Sequence, residues 1–469
     1  MMRIALLCVI ASPLASLAEQ PVSIGSRREL FVDRRIVGEL KNTTLKLHTP
    51  QLAPAASPPR PDGHYATVLR TPDKYQFYYR GDQIPGNHWK KGLEQYHAGE
   101  VTLYAESKDA IHWTLPKLGL YEHPTFPQGN IVLMNEFLVN HNFTPFIDTR
   151  PGVPASEKYK ALGGLSYQPH AAQQEVREKR GPGGLKAFTS ADGIHWKKLR
   201  DEAVLPEEWG KYYDSQNYAF WSESEQCYVC YFRRFIGGLR GIARSTSKDF
   251  IHWTPFVEIK ANLPGEHLYT SCTQPYFRAP HLYIALPTRF MDRRGAATDI
   301  LFMTTRAGST RYDREFTESF IRPGIGKEGW ANRANYAAIG IHQTSETEMS
   351  VFLTGGRRYT LRLDGFASVN APLAGGEILT KPLTFSGKQL EINYSTSAAG
   401  EVRVELQDAD GKPLPGFTLE DCEPIWGDHI ARAVRWKSGT DVSTHADKPV
   451  KLRFSMSDAD LFSLRFCDP

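Results

Sequence analysis

One turn sequence recurs three times in this chain, and it constrains the fold more than any other feature. The pattern Ser-x-Asp-x-Ile-His-Trp occupies 107–113, 190–196 and 247–253. Its Ser and Asp side chains are suited to local hydrogen bonds in a tight turn, and the Trp then opens a strand that packs between sheets. Repeats of several dozen residues that are built from short strands are typical of a β-propeller. We therefore expect the motif histidine to support the turn rather than to take part in catalysis.

Each copy of the turn follows three strand-like segments, so the motif marks a repeated four-stranded unit. Two further units keep this order of strands without the motif, which gives five blades in all. The last unit, with strands expected at 335–341, 348–354 and 359–363, has no outer strand of its own. We expect 28–32 or 44–48 to supply it, because pairing the two ends of the chain would remove the last sheet edge.

The pattern changes after 364–365, where a second domain is expected to begin. The segments that follow alternate apolar and polar residues as half-buried strands do, at 377–385, 389–395, 401–407 and 450–456. The sequence thus predicts an all-β protein, a five-bladed β-propeller at 19–364 followed by a C-terminal β-sandwich at 365–469. The sandwich is expected to buttress the last blade or to bind sugar.

The N-terminus has the pattern of a secretory signal peptide at 1–18. A short positive start precedes an apolar stretch at 4–17, and small residues allow cleavage near Ala18. This stretch is shorter than the roughly 20 residues that a membrane-spanning helix needs, and Pro13 interrupts it. We therefore expect a secreted or periplasmic protein without a membrane span.

Charge and cysteine content exclude other classes of protein. The chain has 56 Lys and Arg against 52 Asp and Glu and no long basic run, so no nucleic-acid partner is expected. Cys422 and Cys467 share the C-terminal domain and could form a disulfide, although sequence alone does not fix the pairing. Cys227 and Cys230 lie three apart in a strand and face opposite sides, so no metal site is expected there.

Propeller geometry indicates where function should lie. The inner strand of each blade lines a central channel, and the connections alternate between two faces. All three copies of the turn fall on one face, and the long irregular loops fall on the other. Because long loops on a rigid scaffold usually carry the binding site, polar residues at the starts of the inner strands should converge there.

Carboxylates at these strand starts are the candidate catalytic residues. Cleavage of a glycosidic bond needs two carboxyl groups, one protonated and one ionised. Asp214 and Glu266, on adjacent blades, form the best pair, and Asp62 is the best third carboxylate. The candidate substrate-binding residues are the other polar side chains at the strand starts: His64, His141, Asn142, Gln216, Asn217, His267, Tyr269, Arg333 and Asn335.

Arginines also gather on the predicted loop face. Arg pairs in a bidentate manner with carboxylate or sulfate, so an acidic or sulfated sugar is a candidate ligand. The alternative, that several of these arginines pair with nearby acids, stays open. The set comprises Arg80, Arg233, Arg234, Arg240, Arg289, Arg293, Arg294 and Arg333.

With these features the chain resembles the five-bladed propeller glycoside hydrolases, the group of invertases, levanases and arabinanases. The segments 29–33, 214–217 and 358–365 are also similar to those of exported proteins labelled invertase-like. The resemblance implies a carbohydrate substrate and no cofactor. An axial Ca²⁺, as in some related propellers, stays open, since no ligand loop identifies it.

The catalytic motifs of that group match this chain only in part. The Asn-Asp-Pro-Asn segment that carries the nucleophile corresponds to 61–64, where only Asp62 carries over. The Arg-Asp-Pro segment should fall on the second blade, where His141 and Asn142 stand instead. The Glu-Cys acid motif is absent from the propeller, and Glu266-His267 is its nearest substitute.

Three functions therefore stay open. A glycoside hydrolase should have two carboxyl groups roughly 5–10 Å apart in the axial pocket. A non-catalytic glycan-binding propeller should have aromatic and Arg side chains without such a pair. A polysaccharide lyase would neutralise a uronate with Arg and abstract a proton with His or Tyr, from the set His64, His141, Tyr269 and Arg333.

Overall fold

The structure is a computed structural model that describes residues 20–469, except 60, 82–96, 98, 137, 168–170 and 211–212, and except the side chains at 171–173 and 180. Within these residues strand is the most frequent secondary structure, and there are two short α-helices at Ala171–Arg180 and Glu207–Gly210. The all-β fold that the sequence predicts is confirmed. The predicted signal peptide at 1–18 lies outside the described residues.

Most strands between residues 51 and 362 form five successive units, which we call blades 1 to 5. Blade 1 contains Thr67–Arg70, Tyr75–Gly81, Val101–Ser107, Trp113–Thr114 and Ile131–Leu133. Blade 2 contains Thr144–Ile147, Tyr159–Gly163, Gly184–Ser190, Lys197–Lys198 and Leu205–Pro206. Blade 3 contains Tyr218–Ser222, Cys227–Ile236, Leu239–Ser247 and Val257–Ile259.

Blades 4 and 5 complete the series. Blade 4 divides into two three-stranded sheets, one of Gln274–Tyr276, Ala279–Ala285 and Met303–Arg306 and one of His267–Leu268, Thr288–Met291 and Ala297–Ile300. Blade 5 contains Ala337–Gln343, Glu348–Leu353, Arg357–Arg362 and Gln51–Leu52. Short 3-10 turns lie at Ala155–Glu157, Asp292–Arg294, Glu328–Trp330, Thr354–Gly356 and Ser443–His445.

The innermost strands of the five blades contact one another in a closed ring. Thr67–Arg70 of blade 1 contacts Thr144–Ile147 of blade 2 on one side and Ala337–Gln343 of blade 5 on the other. The last contact includes a parallel pairing between Thr67 and Ile339. The remaining inner strands follow in chain order, so the ring surrounds one central axis.

The outer strand of blade 5 comes from the N-terminal part of the chain, but not from the predicted segments. Gln51–Leu52 pairs antiparallel with Arg357–Arg362. Glu29–Leu30 and Thr44–Leu47, which lie in the segments that the sequence suggested, pair instead with strands of the sandwich. The reason is burial, because the neighbouring Phe31 is wholly enclosed in the sandwich core.

The sandwich combines strands from both ends of the described chain. They are Val22–Gly25, Glu29–Leu30, Val37–Lys41, Thr44–Leu47, Ala367–Ala371, Gly376–Thr380, Leu383–Phe385, Gln389–Asp408, Asp428–Ala433 and Val450–Cys467. The two long strands, Gln389–Asp408 and Val450–Cys467, pair antiparallel along most of their length and shift register between Thr396 and Glu401. The strands at 22–47 thus associate with the sandwich rather than with a blade.

The three copies of the turn motif adopt the same hydrogen-bonding pattern. In each copy, Oδ1 of the Asp accepts hydrogen bonds from the backbone N–H groups of the Ile and the His. The other carboxylate oxygen lies 2.7 Å from Nδ1 of the same His. The motif histidines therefore support the turn, as the sequence indicates.

The cysteines at 227, 230, 272, 422 and 467 are all free thiols. The Sγ atom of Cys422 accepts a hydrogen bond from the backbone N–H of Val404, and Cys467 lies 3.8 Å from the amide of Gln389. The disulfide between Cys422 and Cys467 that the sequence left open is not formed. No helix among the described residues is long and apolar enough to cross a membrane.

Trp113→Ala should lower the free energy of unfolding by about 3–5 kcal/mol, since it empties a buried site between blades. The indole is 7% exposed and packs edge-on against Phe77 of blade 1, with Phe352 of blade 5 beyond it. Urea unfolding measures the change. Trp426→Ala, at a site 62% exposed in the sandwich, is the matched control and should change stability by no more than about 0.5 kcal/mol. Equal losses in both variants would contradict this role for the motif Trp.

Candidate functional site

One residue from each blade, placed shortly before the innermost strand, lies in a cluster near the axis. The five residues are Tyr65, His141, Asp214, Tyr269 and Tyr336. The ring of Tyr65 lies 5.2 Å from that of His141 and 5.7 Å from that of Tyr336, which in turn lies 5.4 Å from Tyr269. Closure of the ring of blades thus brings together side chains that are far apart in sequence.

Asp214 is the centre of this axial cluster. Its Oδ1 accepts a hydrogen bond from the Tyr65 hydroxyl at 3.1 Å and lies 3.0 Å from Nε2 of His141. Its Oδ2 accepts a hydrogen bond from the Tyr269 hydroxyl at 3.3 Å and lies 3.6 Å from Nη2 of Arg233. The side chain keeps 32% of its surface exposed, so the carboxylate is held on several sides and open on another.

The surroundings of Asp214 keep its carboxyl group ionised. Burial acts against the charged form, but the Arg233 guanidinium and the hydrogen bond from His141 outweigh it and hold the pKa of Asp214 well below its ordinary value. An ionised carboxylate at the mouth of the channel can act as a base, a nucleophile or a stabiliser of developing positive charge. It cannot donate a proton at neutral pH.

Two asparagine side chains fix the backbone on which Asp214 stands. Nδ2 of Asn142 and Nδ2 of Asn217 each donate to the carbonyl groups of Tyr213 and Ser215, the two neighbours of Asp214. Both asparagines are 1% exposed. The structure therefore places these two predicted substrate-binding residues beneath the site, where they orient Asp214.

Gln216 and Asn335 are also buried and engaged by the scaffold. Nε2 of Gln216 donates to the carbonyl of Ala66 at 2.6 Å, which ties blade 3 to blade 1. Nδ2 of Asn335 donates to the carbonyl groups of Thr298 and Gly329. Both side chains are 1% exposed, and their amides hold neighbouring segments of the scaffold together.

His141 connects Asp214 to a second buried carboxylate. Its Nδ1 lies 2.9 Å from Glu100, a residue that sequence reasoning did not single out. Burial disfavours the imidazolium form, but the charge of Glu100 and the hydrogen bond to Asp214 raise the pKa of His141 above its ordinary value. Burial likewise acts against ionised Glu100, and the charge of His141 outweighs it and lowers the pKa of that carboxyl. The three groups form a buried, charged network.

The same network contains a set of atoms with the spacing of metal ligands. His97, Glu100 and His141 each offer one ligand atom, all within 4.8 Å of one another. The guanidinium of Arg80 occupies this neighbourhood, with Nη1 3.0 Å from Nδ1 of His141 and Nε 3.6 Å from Glu100. Its positive charge neutralises Glu100 and opposes a second cation, so we interpret the cluster as an ion-pair network.

Three arginines surround the ring of Tyr269. The guanidinium carbons of Arg233, Arg240 and Arg333 lie 5.2, 4.9 and 5.8 Å from its centroid. Arg233 is 4% exposed, yet among the described residues its Nε and Nη1 have no hydrogen-bond partner, and neither has the Nε of Arg240. Buried, unpaired N–H groups of this kind are suited to an anionic ligand.

The other predicted site residues lie outside the axial cluster or at its border. The Glu266 carboxylate is 6% exposed and forms an ion pair with Arg314 at 2.5 Å. It is therefore not paired with Asp214. Asp62 is exposed on the segment before blade 1. His64 lies against Tyr336, with 5.6 Å between rings, and Nδ1 of His267 accepts the backbone N–H of Arg240.

Sequence reasoning missed Tyr65 and Tyr336, each of which directly follows a residue that it had named. A comparison of the position before each inner strand would have found them, because Tyr65, Tyr269 and Tyr336 stand at related places in three blades. Tyr65 also has a φ of 50°, a left-handed conformation that aromatic residues seldom adopt. Such backbone strain is often found at functional sites.

Comparisons of this chain with known proteins find similar solved structures. No family model matches it, and no curated protein matches it. One similar solved structure is a β-1,2-mannobiose phosphorylase from Listeria innocua, with 11% identity, coverage of 69% of this chain and 99% of that chain, and a TM-score of 0.45. Another is a GH32 β-fructofuranosidase from Bombyx mori, with 10% identity, coverage of 90% and 95%, and a TM-score of 0.40.

A third similar structure is an N-acetylgalactosamine deacetylase from F. plautii, with 10% identity, coverage of 88% of this chain and 95% of that chain, and a TM-score of 0.40. Glycoside hydrolases are thus among the structures to which this chain is similar, as the sequence resemblance predicts. TM-scores below 0.5 do not establish a shared activity, so the function is inferred from the site itself.

Glu100→Gln should lower the pKa of His141, which in the wild type is raised above its ordinary value. The substitution removes the negative charge that favours the imidazolium and leaves burial and Arg80, which oppose it. A titration of histidine chemical shifts by NMR measures the change. His342, whose pKa burial lowers to about 4 far from this network, is the internal control and should not move. An unchanged pKa of His141 would exclude the proposed coupling.

Proposed function

We propose that this protein is a glycosidase that acts on an acidic or sulfated glycan, with Asp214 as its ionised catalytic group. One observation carries the proposal: a partly exposed, ionised carboxylate stands near the axis of the blades beside a buried arginine, two of whose nitrogen atoms have no hydrogen-bond partner among the described residues. A carboxylate held in this state supplies what glycosidic cleavage needs on one side of the bond.

The preference for an anionic glycan follows from Arg233. A buried guanidinium with two nitrogen atoms that lack a partner among the described residues is costly unless a ligand completes its hydrogen bonds. Its planar fork matches the two oxygens of a uronate carboxylate or of a sulfate group. Arg240 and Arg333, on the same aromatic surface, add positive charge, and Asp214 alone does not balance all three.

The proton for the departing sugar has to come from another group, because Asp214 stays ionised. Tyr65 and Tyr336 are candidates, since burial raises the pKa of both hydroxyls well above the ordinary value and keeps them protonated. Asp62 is a second candidate, because it is exposed before the inner strand of blade 1. Glu266 is the weaker candidate, because its ion pair with Arg314 favours the ionised form, which has no proton to donate.

A polysaccharide lyase is the second candidate function, and the composition of the axial cluster favours it. Among the described residues, the hydroxyls of Tyr65 and Tyr269 and the ring of His141 surround a single carboxylate, rather than a pair of carboxylates. In a lyase, Arg233 would neutralise a uronate and a tyrosine or His141 would move the proton. Product chemistry separates the two, since elimination leaves a sugar with a new carbon–carbon double bond and hydrolysis incorporates oxygen from water.

We further propose that the protein acts in the periplasm or outside the cell. The support is the sequence pattern of residues 1–18, with cleavage near Ala18. Expression of the full chain in a bacterial host, followed by N-terminal sequencing of the protein from the periplasmic fraction, tests this. A protein that retains residue 1 and stays in the cytoplasm would contradict it.

Asp214→Asn should lower kcat/KM by about 10²–10⁴-fold on any glycan that the wild type cleaves, because the amide cannot act as base or nucleophile. A panel of oligogalacturonates, chondroitin sulfate, heparan sulfate and neutral fructans, assayed for new reducing ends, provides the measurement. Asp410→Asn, at an exposed turn of the sandwich, is the matched control and should keep wild-type rates. Cleavage that survives Asp214→Asn would exclude this residue as the catalytic group, and binding without products would favour a glycan-binding module.

Arg233→Lys should raise KM for an acidic or sulfated glycan by roughly 10- to 100-fold. Lysine keeps the positive charge but cannot donate the two parallel hydrogen bonds of a guanidinium. Kinetics on the same glycan after carboxyl reduction or desulfation provide the control, and on that substrate wild type and variant should be alike. An equal rise in KM on both substrates would show that Arg233 stabilises Asp214 rather than binding an anionic group of the substrate.

A further inference from the structure

A groove on the blade 4 side of the axial cluster remains without a role in the function proposed above. Its lining includes Leu263, Arg289, Arg294, Asp299, Pro323 and Trp330, and we call it the Trp330 groove. Glu266 also borders it, which places that predicted catalytic residue here and not beside Asp214. A cleft with both aromatic and charged lining next to a carbohydrate site could hold part of the same ligand.

The indole of Trp330 is exposed and also held in place. It is 54% exposed, while its Nε1–H donates to the carbonyl of Gly324 at 3.1 Å. The preceding Gly329 packs against Pro323 with no room for a side chain, and its carbonyl accepts a hydrogen bond from Asn335. A fixed aromatic side chain loses little conformational freedom when a ligand stacks on it.

The rest of the groove offers polar groups that can hydrogen-bond to the hydroxyl groups of a sugar. Arg289 and Asp299 form a bidentate pair, with Nε to Oδ1 at 2.9 Å and Nη2 to Oδ2 at 2.5 Å, and both line the groove. Leu263, 41% exposed, adds apolar surface. A pyranose ring has an apolar C–H face and a rim of hydroxyl groups, so it matches an aromatic face flanked by a fixed ion pair.

The groove adjoins the axial cluster at the start of the blade 4 strand Ala297–Ile300. The backbone N–H of Arg333 donates to the carbonyl of Ala296, and Ala296 packs against the aromatic cluster of Tyr65, Tyr269 and Tyr336. The next residue, Ala297, lines the groove. Arg333 therefore stands between the two sites, with its guanidinium over Tyr269.

We propose that the Trp330 groove is a further sugar subsite, which binds another unit of the glycan chain whose reacting unit lies at Asp214. The proposal rests on the proposed function and adds to it that the substrate is longer than a disaccharide. One sugar ring stacks on the exposed face of Trp330, and its hydroxyl groups meet the Arg289–Asp299 pair. The two sites then bind one chain across Arg333.

The test measures how affinity depends on chain length. Disaccharides and hexasaccharides of galacturonate and of chondroitin sulfate are titrated calorimetrically into protein that carries Asp214→Asn, so that bound chains stay intact. In that background Trp330→Ala should weaken binding of the hexasaccharide by about tenfold and that of the disaccharide by less. Trp330→Phe should recover part of the loss, because it restores an aromatic face.

Trp426→Ala in the same background is the matched control, since it removes an indole of similar exposure from the sandwich. Equal affinity of the Trp330→Ala and control proteins for every chain would overturn the subsite while leaving the proposed function intact. A loss that is the same for short and long chains would also overturn it, because the groove would then belong to the primary site. A protein that binds none of these glycans would overturn both proposals.

Discussion

The site depends on closure of the five innermost strands into a ring. The parallel contact between blade 1 and blade 5, at Thr67 and Ile339, joins the first and last members of the series. Without it the strand starts would lie along an open, twisted sheet, and Tyr65 and Tyr336 would be at opposite ends. Gln216 strengthens the same closure across the axis, because it bonds to Ala66 and Thr67 from blade 3.

Within that ring, the polar groups divide into those that hold the site and those that face it. The amides of Asn142 and Asn217 satisfy the carbonyl groups on both sides of Asp214 and leave its carboxylate for other partners. The tyrosine hydroxyls, His141 and Arg233 then stabilise the charged form of that carboxylate. A negative charge that is fixed in this way costs little reorganisation when positive charge develops on a bound sugar.

The sequence predicted the repeat well because the turn motif has a strong local cause. A Ser and an Asp at fixed spacing bond to adjacent backbone amides wherever they occur, so the turn needs no tertiary context. The two-residue strand Gln51–Leu52 carries no such local sequence signal. It is located only by its pairing with the free edge of blade 5. The segment at 44–48 has the stronger strand pattern, and for that reason it pairs with a strand of the sandwich.

The candidate site residues that the sequence predicts stand at the strand starts, and their roles in binding or catalysis stay predictions. The polar residues at the strand starts do converge, but the direction of each side chain depends on backbone angles that composition does not reveal. The left-handed φ of 47° at Tyr213 and of 50° at Tyr65 decides which neighbour faces the axis. The side chains of Asn142 and Asn217 point into the scaffold, and the hydroxyl of Tyr65 donates a hydrogen bond to Asp214.

The sandwich stabilises blade 4, which carries one residue of the axial cluster. Glu29, from the N-terminal strands, is buried against His281 and Arg306 of blade 4. Burial acts against its charge, but these partners lower the pKa of Glu29 to about 2. Because the pKa is lowered in the folded state, this contact contributes stability above the ordinary pKa of 4.5 and loses it as the pH falls toward 2. Blade 4 and the loops beside it also supply Tyr269 and most of the Trp330 groove, so the position of both depends in part on the sandwich.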